Sequence, residues 1–392
     1  MASTIFTSRK LAAKLAAKYG TPIYVYNLRG LEARAKQLLE ACSIAGCLPR
    51  YAIKANPHER ILKLFARLGL GFDASSEYEG ELAVSIGIAP QKINLSSQQP
   101  PKDLEKILQS RVEFTATSLH QLELVAQTGW QGNIGVRINP GIGAGGTNRT
   151  ATGGVSASFG IWHEYIPKIL RWQKRSGCQI VRLHIHIGSG YDPKIWHSSI
   201  NTALSLVEQL PSVTILNMGG GFKVARMPDE TEAGMAKIIR SFNIALKDFR
   251  RRTDRDLRLE IEPGTWLVAN NGLILSRVVD IVDTGKNGFQ FIKLDTGMND
   301  FLRPAMYGAQ HEIEVLNQAT SKKHYVVVGH NCESGDILTP EPGNPELIRP
   351  RLLNMAGIGD LVAIGGAGAY GASMRVAGYN SFPSAAEVFV DE

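Results

Sequence analysis

The chain has 392 residues, 44% hydrophobic and 20% charged, an ordinary globular composition long enough for two domains with a substantial core. Its net charge of +7 is scattered: the densest cluster, Arg250-Arg251-Arg252 with Arg255 and Arg258, is broken by Asp254 and Asp256 and reads as a solvated helix end, not a nucleic-acid surface. The first ten residues lack a signal-peptide core, no apolar run of about 18 residues is present, and Cys42, Cys47, Cys178 and Cys332 form neither a CxxC pair nor a zinc pattern, so no membrane partner, no metal and a reducing, cytoplasmic location are expected.

Residues 8–19 carry Leu11, Leu15 and Tyr19 at helical spacing, and Gly20 is a stop signal. Ile23 to Tyr26 reads as a short strand and 29–45 as a helix. Strand and helix then alternate: strand near 50–54, helix 58–68, strand 70–73, helix 77–86, strand 92–95, helix 102–109, strand 112–116, helix 118–127, strand 133–138. Ile180 to His186 and Leu259 to Glu262 continue the series. Such β-α repeats imply a parallel sheet with crossover helices; about eight of them suit a closed (β/α)8 barrel better than an open sheet, which the pattern alone leaves standing. Residues 139–156 form a Gly-rich loop of a length that inside a compact domain is usually functional or disordered. After about residue 265, apparent strands at 273–282, 289–295, 324–329 and 360–364 lie between Gly-, Pro- and Asn-rich turns, the texture of a mainly β domain.

Several segments carry candidate chemistry. Tyr51-Ala52-Ile53-Lys54-Ala55-Asn56 puts a lysine at the end of a β-like run, where barrels place their active groups; an enclosed amine there can form a Schiff base with an aldehyde cofactor. Gly219-Gly220-Gly221 is either a plain turn or a loop whose backbone N–H groups closely approach a phosphate. His184 and His186, two apart on a strand, share one face as a core pair or as ligand contacts, with no third residue at metal spacing. Cys332 is a candidate proton donor or an inert thiol.

Taken in order, Tyr51 to Asn56, His184-Ile185-His186-Ile187-Gly188-Ser189-Gly190, Gly219-Gly220-Gly221-Phe222, Glu262-Pro263-Gly264, Cys332-Glu333-Ser334-Gly335-Asp336 and Gly368-Ala369-Tyr370-Gly371 resemble the pyridoxal-phosphate decarboxylases of the alanine-racemase-like fold. This is the ornithine/diaminopimelate/arginine decarboxylase family, and the diaminopimelate branch is the most similar. The resemblance runs from Thr21 to Val388. It implies an α/β fold: a pyridoxal-phosphate barrel over 28–265, with a β domain made of 1–27 and 266–392. It also implies pyridoxal 5'-phosphate as cofactor, a small amino-acid substrate and a homodimer with shared active sites. Lys54 corresponds to the Schiff-base lysine. Asp73, His186, Ser189, Gly220, Gly221, Gly264, Thr265 and Tyr370 correspond to cofactor contacts. Glu262 corresponds to the partner of the pyridine nitrogen, keeping the ring an electron sink. Cys332, which in the family comes from the partner subunit, corresponds to the proton donor, and Glu333 and Tyr370 to substrate contacts. Arg303 and Tyr307 match the pair that holds a substrate carboxylate, where a guanidinium can give two parallel hydrogen bonds.

Two positions depart from the family pattern. Thr265 stands where arginine follows Glu-Pro-Gly, and Ser158 where lysine precedes Phe-Gly. Either nearby residues compensate for the two missing cations or the substrate differs. The resemblance therefore implies decarboxylation of meso-2,6-diaminopimelate to L-lysine. The same chemistry on D-ornithine, D-lysine, a siderophore precursor or a carrier-bound amino acid stands beside it. Racemisation on the same fold and a non-catalytic regulator stand further off.

Overall fold

Ser8 caps helix α1 (Arg9–Tyr19), its hydroxyl accepting from the Leu11 N–H at 3.2 Å. The computed structural model, which describes residues 3–143 and 152–391, places this helix in one of two compact units. Residues 144–151 of the expected Gly-rich loop lie outside the described residues. One unit comprises Glu32–Lys223 and Glu232–Gly264; the other comprises Met1–Leu31, Val224–Thr231 and Thr265–Glu392. Strand β1 (Ile23–Asn27) belongs to the second, and helix α2 (Leu28–Ala45) runs from the second into the first.

The first unit is a closed parallel barrel. Its strands are β2 (Cys47–Ala52), β3 (Gly71–Ala74), β4 (Ile93–Leu95), β5 (Glu113–Ala116), β6 (Asn133–Asn139), β8 (Gln179–His184), β9 (Ile215–Asn217) and β10 (Arg258–Ile261), with the two-residue β7 (Ile161–Trp162) beside β6. Leu259 of β10 pairs with Cys47 of β2, which closes the ring. The helices α3 (Glu59–Leu68), α4 (Glu77–Ser85), α5 (Leu104–Gln109), α6 (Leu119–Gln127), α7 (Ile166–Ser176), α8 (Pro193–Glu208) and α9 (Met235–Thr253) follow strands in turn. Their limits are written locally. In α3, Ile61, Leu62, Leu64 and Phe65 make one buried face, and Gly69 stops the helix in the left-handed region at φ 97°. Ser76 caps α4 by accepting from the Glu79 N–H at 3.2 Å, while the Glu79 carboxylate reaches back to the Ser75 N–H at 2.7 Å. The basic end of α9 is a solvated surface, with Arg250 paired to Asp256, Arg251 to Asp248 and Arg252 to Glu208.

The barrel interior is not wholly apolar. Arg50 and Arg182 converge on the fully buried Glu260, with Nε of each 3.0 Å from Glu260 Oε2. Burial opposes the Glu260 charge, but Arg182 and Arg50 override it and lower its pKa to about 2. Glu113, bound by both arginines, and Asn94, which accepts from Arg182 at 3.2 Å, complete this layer.

The second unit is an eight-stranded sheet. The remaining strands are β11 (Gly272–Asp283), β12 (Gln290–Leu294), β13 (Ile313–Val315), β14 (Lys322–Val328), β17 (Arg351–Asn354), β18 (Leu361–Ile364) and β19 (Ala386–Val390), with a separate ribbon of β15 (Pro340–Glu341) and β16 (Asn344–Ile348). Helices α10 (Thr265–Val268) and α11 (Arg303–Tyr307) are short. Strand β1 pairs antiparallel with β11 and parallel with β19. Ile23, Val25, Leu273, Leu275, Ala363 and Val388 bury one face of this sheet against Ala12, Leu15 and Ala16 of α1. Each large aliphatic side chain so buried contributes about 1.5–3 kcal/mol. No helix of the described residues is long and apolar enough to cross a membrane.

Candidate active site

In the barrel unit the chemistry-bearing side chains gather where the strands end, the carboxyl rim on which parallel barrels build sites. Strand β2 stops at Ala52, and Ile53–Ala55 is one turn of 3-10 helix, so Lys54 stands just beyond the strand expected near 50–54. The reason is local: Asn56 precedes a proline and is extended at φ −163°, its carbonyl accepting from Tyr51 Oη at 2.9 Å, which turns the chain out of the ladder. The Lys54 charge acts on Asp73, Glu79, His184, His186 and Glu262, which identifies its neighbours.

Glu262 follows the end of β10 at Ile261, two residues beyond the buried Glu260. It is buried and accepts from Asn217 Nδ2 at 2.7 Å. His184 Nε2 lies 3.3 Å from its other oxygen. Burial works against the Glu262 charge, but His184, then Lys54 and His186, hold the carboxyl well below its usual range. Asp73, buried at the end of β3, goes the other way: burial and the negative charge of Glu262 raise it to about 7, with Lys54 opposing. Two carboxyl groups at one rim are thus pushed in opposite directions, Glu262 down and Asp73 up.

The two histidines do not share a strand. Strand β8 ends at His184, so side-chain alternation does not extend to His186, whose Nδ1 accepts from the Gly220 N–H at 3.1 Å. Burial lowers both imidazoles, His186 further, with Arg137 and Lys54 adding to the effect on it.

The loop after β9 is zipped to the loop after β8. The Gly190 N–H donates to Gly221 O at 2.9 Å and the Lys223 N–H to Gly190 O at 3.2 Å. Gly221 has φ 93°, and a Cβ there would overlap the Gly188 carbonyl; a Cβ at Gly220 would overlap the Glu262 carbonyl. Gly220 and Gly221 therefore let this loop pack directly on the Glu262 and Gly188 backbone, next to Ser189. Gly264 is walled by Ala52 and Ala55.

Thr265, Arg303, Tyr307, Cys332, Glu333 and Tyr370 lie in the β unit, Ser158 in the barrel unit. Thr265 opens α10 and Arg303 opens α11. The Arg303 guanidinium is 5.8 Å from the Tyr307 ring centroid, and its Nε has no acceptor among the described residues. Tyr370 is held at φ 54°, an uncommon backbone for a non-glycine residue. Cys332 and Glu333 are exposed on a loop clamped by Asp336, which accepts from the Asn331 N–H at 2.9 Å and the Met298 N–H at 2.6 Å. Asn380 fixes the Cys332 N–H at 2.7 Å, and Tyr379 Oη donates to Glu333 at 3.1 Å. Ser158 is exposed.

The structure adds residues that the sequence pattern does not single out. Asn217 orients Glu262 and also accepts from the Gly219 N–H at 2.8 Å. Arg137 is a buried cation on β6 whose Nη2 lacks an acceptor among the described residues; the signal was a charge inside the apolar run Ile134 to Ile138. Arg226, buried in the β unit, lies in a segment with no periodicity to mark it.

Residues 28–269 match the family model for the pyridoxal binding domain of pyridoxal-dependent decarboxylases. The diaminopimelate decarboxylase of Streptomyces coelicolor is 33% identical over 97% of this chain and 86% of its own length. A crystal structure of a diaminopimelate decarboxylase superposes with a TM-score of 0.90 at 29% identity, covering 100% of this chain and 95% of that one. The Helicobacter pylori enzyme of that name, crystallised with L-lysine, gives a TM-score of 0.85 at 29% identity over 97% of this chain and 94% of its own.

Proposed function

Because this chain belongs to the pyridoxal-dependent decarboxylase family, we propose that it removes CO2 from an α-amino acid, with meso-2,6-diaminopimelate as substrate and L-lysine as product. The observation that carries the reading is the geometry at the barrel rim: a buried Glu262 that accepts from Asn217 at 2.7 Å and lies 3.3 Å from His184, in the field of Lys54 and beside Asp73.

The residues fit pyridoxal 5'-phosphate. The amine, carboxylate and imidazole set at the rim suits an aldehyde-bearing pyridine, and the glycine-rich loops after β8 and β9 leave backbone without side chains beside Ser189, the kind of surface that receives a phosphate. When bound, that group supplies an aldehyde for the substrate amine and a ring that withdraws electrons as the bond to the carboxylate breaks. Lys54 would hold it covalently through its amine. Glu262, oriented by Asn217, would keep a proton on the ring nitrogen. His186, Asp73 and Tyr370 would contact it. Ser189, Gly220, Gly221, Gly264 and Thr265 would hold its phosphate. Arg303 and Tyr307 hold the distal carboxylate and Glu333 the distal amine.

Cys332 delivers a proton to the α-carbon after CO2 leaves. Its exposure with Glu333 on a clamped loop supports a homodimer in which each subunit lends this loop to the other's site. Thr265 and Ser158, where the family has cations, favour a second reading: the same chemistry on D-lysine or D-ornithine. Both readings meet one test, CO2 release by the cofactor-loaded protein from meso- and L,L-diaminopimelate, D- and L-lysine, D- and L-ornithine and L-arginine. Turnover confined to the meso isomer supports the first reading. Turnover of D-lysine or D-ornithine with the meso isomer inert supports the second, and no CO2 from any member overturns decarboxylation of these amino acids.

A further inference from the structure

We propose that Arg226 is a second guanidinium of the substrate's distal-carboxylate subsite, beside Arg303, and sets the preference for diamino acids that carry a carboxylate at both ends. The inference rests on the decarboxylase reading above.

Arg226 is only 8% exposed, yet among the described residues its side chain makes one hydrogen bond, from Nε to Gly366 O at 3.1 Å. Its Nη2 is buried with no acceptor among the described residues, as is Nε of Arg303. A buried, unsatisfied N–H on a cation is costly, and such a group is retained where a ligand supplies the missing acceptor. The segment that carries Arg226 is held firmly. Glu230 Oε2 accepts from the backbone N–H of Arg226 at 2.8 Å and of Met227 at 3.3 Å, and Asn270 Nδ2 donates to Ala225 O at 2.9 Å.

Electrostatics identifies the neighbours. Burial, then Arg303, lowers Arg226 to about 9, while Glu230 and Tyr370 work to raise it. Tyr370, Tyr307 and Glu230 likewise act on Arg303. His311, which bonds Gly365 O through Nδ1 at 3.0 Å, is pushed well down, by burial first and then by the two arginines. The group is two guanidiniums against one carboxylate, a net positive charge that one ligand carboxylate neutralises. The carboxylate that departs is a poor candidate, because a cation there would stabilise the substrate over the transition state. The distal carboxylate, unchanged by the reaction, fits.

The test uses the holoenzyme and Arg226→Met. Calorimetric titration with L-lysine, which keeps the distal carboxylate, should show a Kd at least about tenfold weaker in the variant, with cadaverine, which lacks it, binding as to the wild type. With meso-diaminopimelate, KM should rise while kcat holds. An equal change for both ligands, or none for either, overturns the proposal. Arg226→Lys, which keeps charge without the planar fork, serves if Arg226→Met does not fold and should weaken L-lysine selectively. A wild type inert towards meso-diaminopimelate, in which Arg226→Met still weakens L-lysine alone, rejects the substrate reading while supporting the subsite.

Discussion

Asn217 Nδ2 donates to Glu262 Oε1 at 2.7 Å across neighbouring barrel strands. That bond fixes the direction of a carboxylate that His184, Lys54 and His186 keep ionised despite its burial. Replacing Glu262 with glutamine keeps the acceptor and the shape but removes the charge. Decarboxylation by Glu262→Gln should fall by about 10²–10³ with the fold unchanged. CO2 release and circular dichroism measured together check this, and a variant with full activity would remove Glu262 from the ring-nitrogen role.

Lys54→Ala should lose at least about 10³-fold in turnover. Borohydride reduction of the loaded wild type, followed by peptide mass spectrometry, should find the cofactor on Lys54 and nowhere else. A reduced adduct on another lysine would reassign the tether.

Cys332→Ala should lose about 10²–10⁴ in kcat as the general acid is removed. Mixing Cys332→Ala with Lys54→Ala and allowing exchange should restore activity, since a mixed dimer assembles one intact site from two chains. Failure of the mixture to recover, with exchange verified, would argue against a shared site.

The acid response should centre on the buried ion cluster. Glu260 has its pKa lowered to about 2 from 4.5, so its stabilising contribution is present above the unfolded pKa and is lost as pH falls through the folded one. Asp73 has the opposite sign. Raised from 3.8 to about 7, it contributes most below its unfolded pKa and loses that contribution as pH rises through 7. Thermal melts of the unloaded protein between pH 2 and 8 should show the Asp73-dependent slope vanish in Asp73→Asn. Glu260→Gln, which leaves Arg50 and Arg182 with Glu113 as their remaining carboxylate, should cost about 3 kcal/mol at neutral pH.

Gly221→Ala should impair cofactor retention and fold stability together, because the new methyl meets the Gly188 carbonyl at a backbone angle side chains avoid. The loss should exceed about 1 kcal/mol. A melt equal to wild type with undiminished cofactor occupancy would contradict the requirement for glycine at this position.

By itself, the sequence determined the class of the fold and where its chemistry begins. The alternation of β-like and helical periods from residue 50 to 262 is local information, carried by side-chain spacing, and so are the turn signals that follow residue 265. Lys54, Glu262 and the glycine run were legible because each stands at the end of a strand, where a short motif interrupts the apolar pattern. Ring closure was favoured by the number of β-α units and by the family resemblance, but the pattern alone did not fix it. It requires β10 to find β2 from some two hundred positions away, and β-α units serve open and closed sheets alike. The separation of His184 from His186, the opposite pKa shifts of Asp73 and Glu262, and the burial of Arg137 and Arg226 were decided only by tertiary structure. Burial and through-space charge depend on which strands become neighbours, and no periodicity along the chain encodes that.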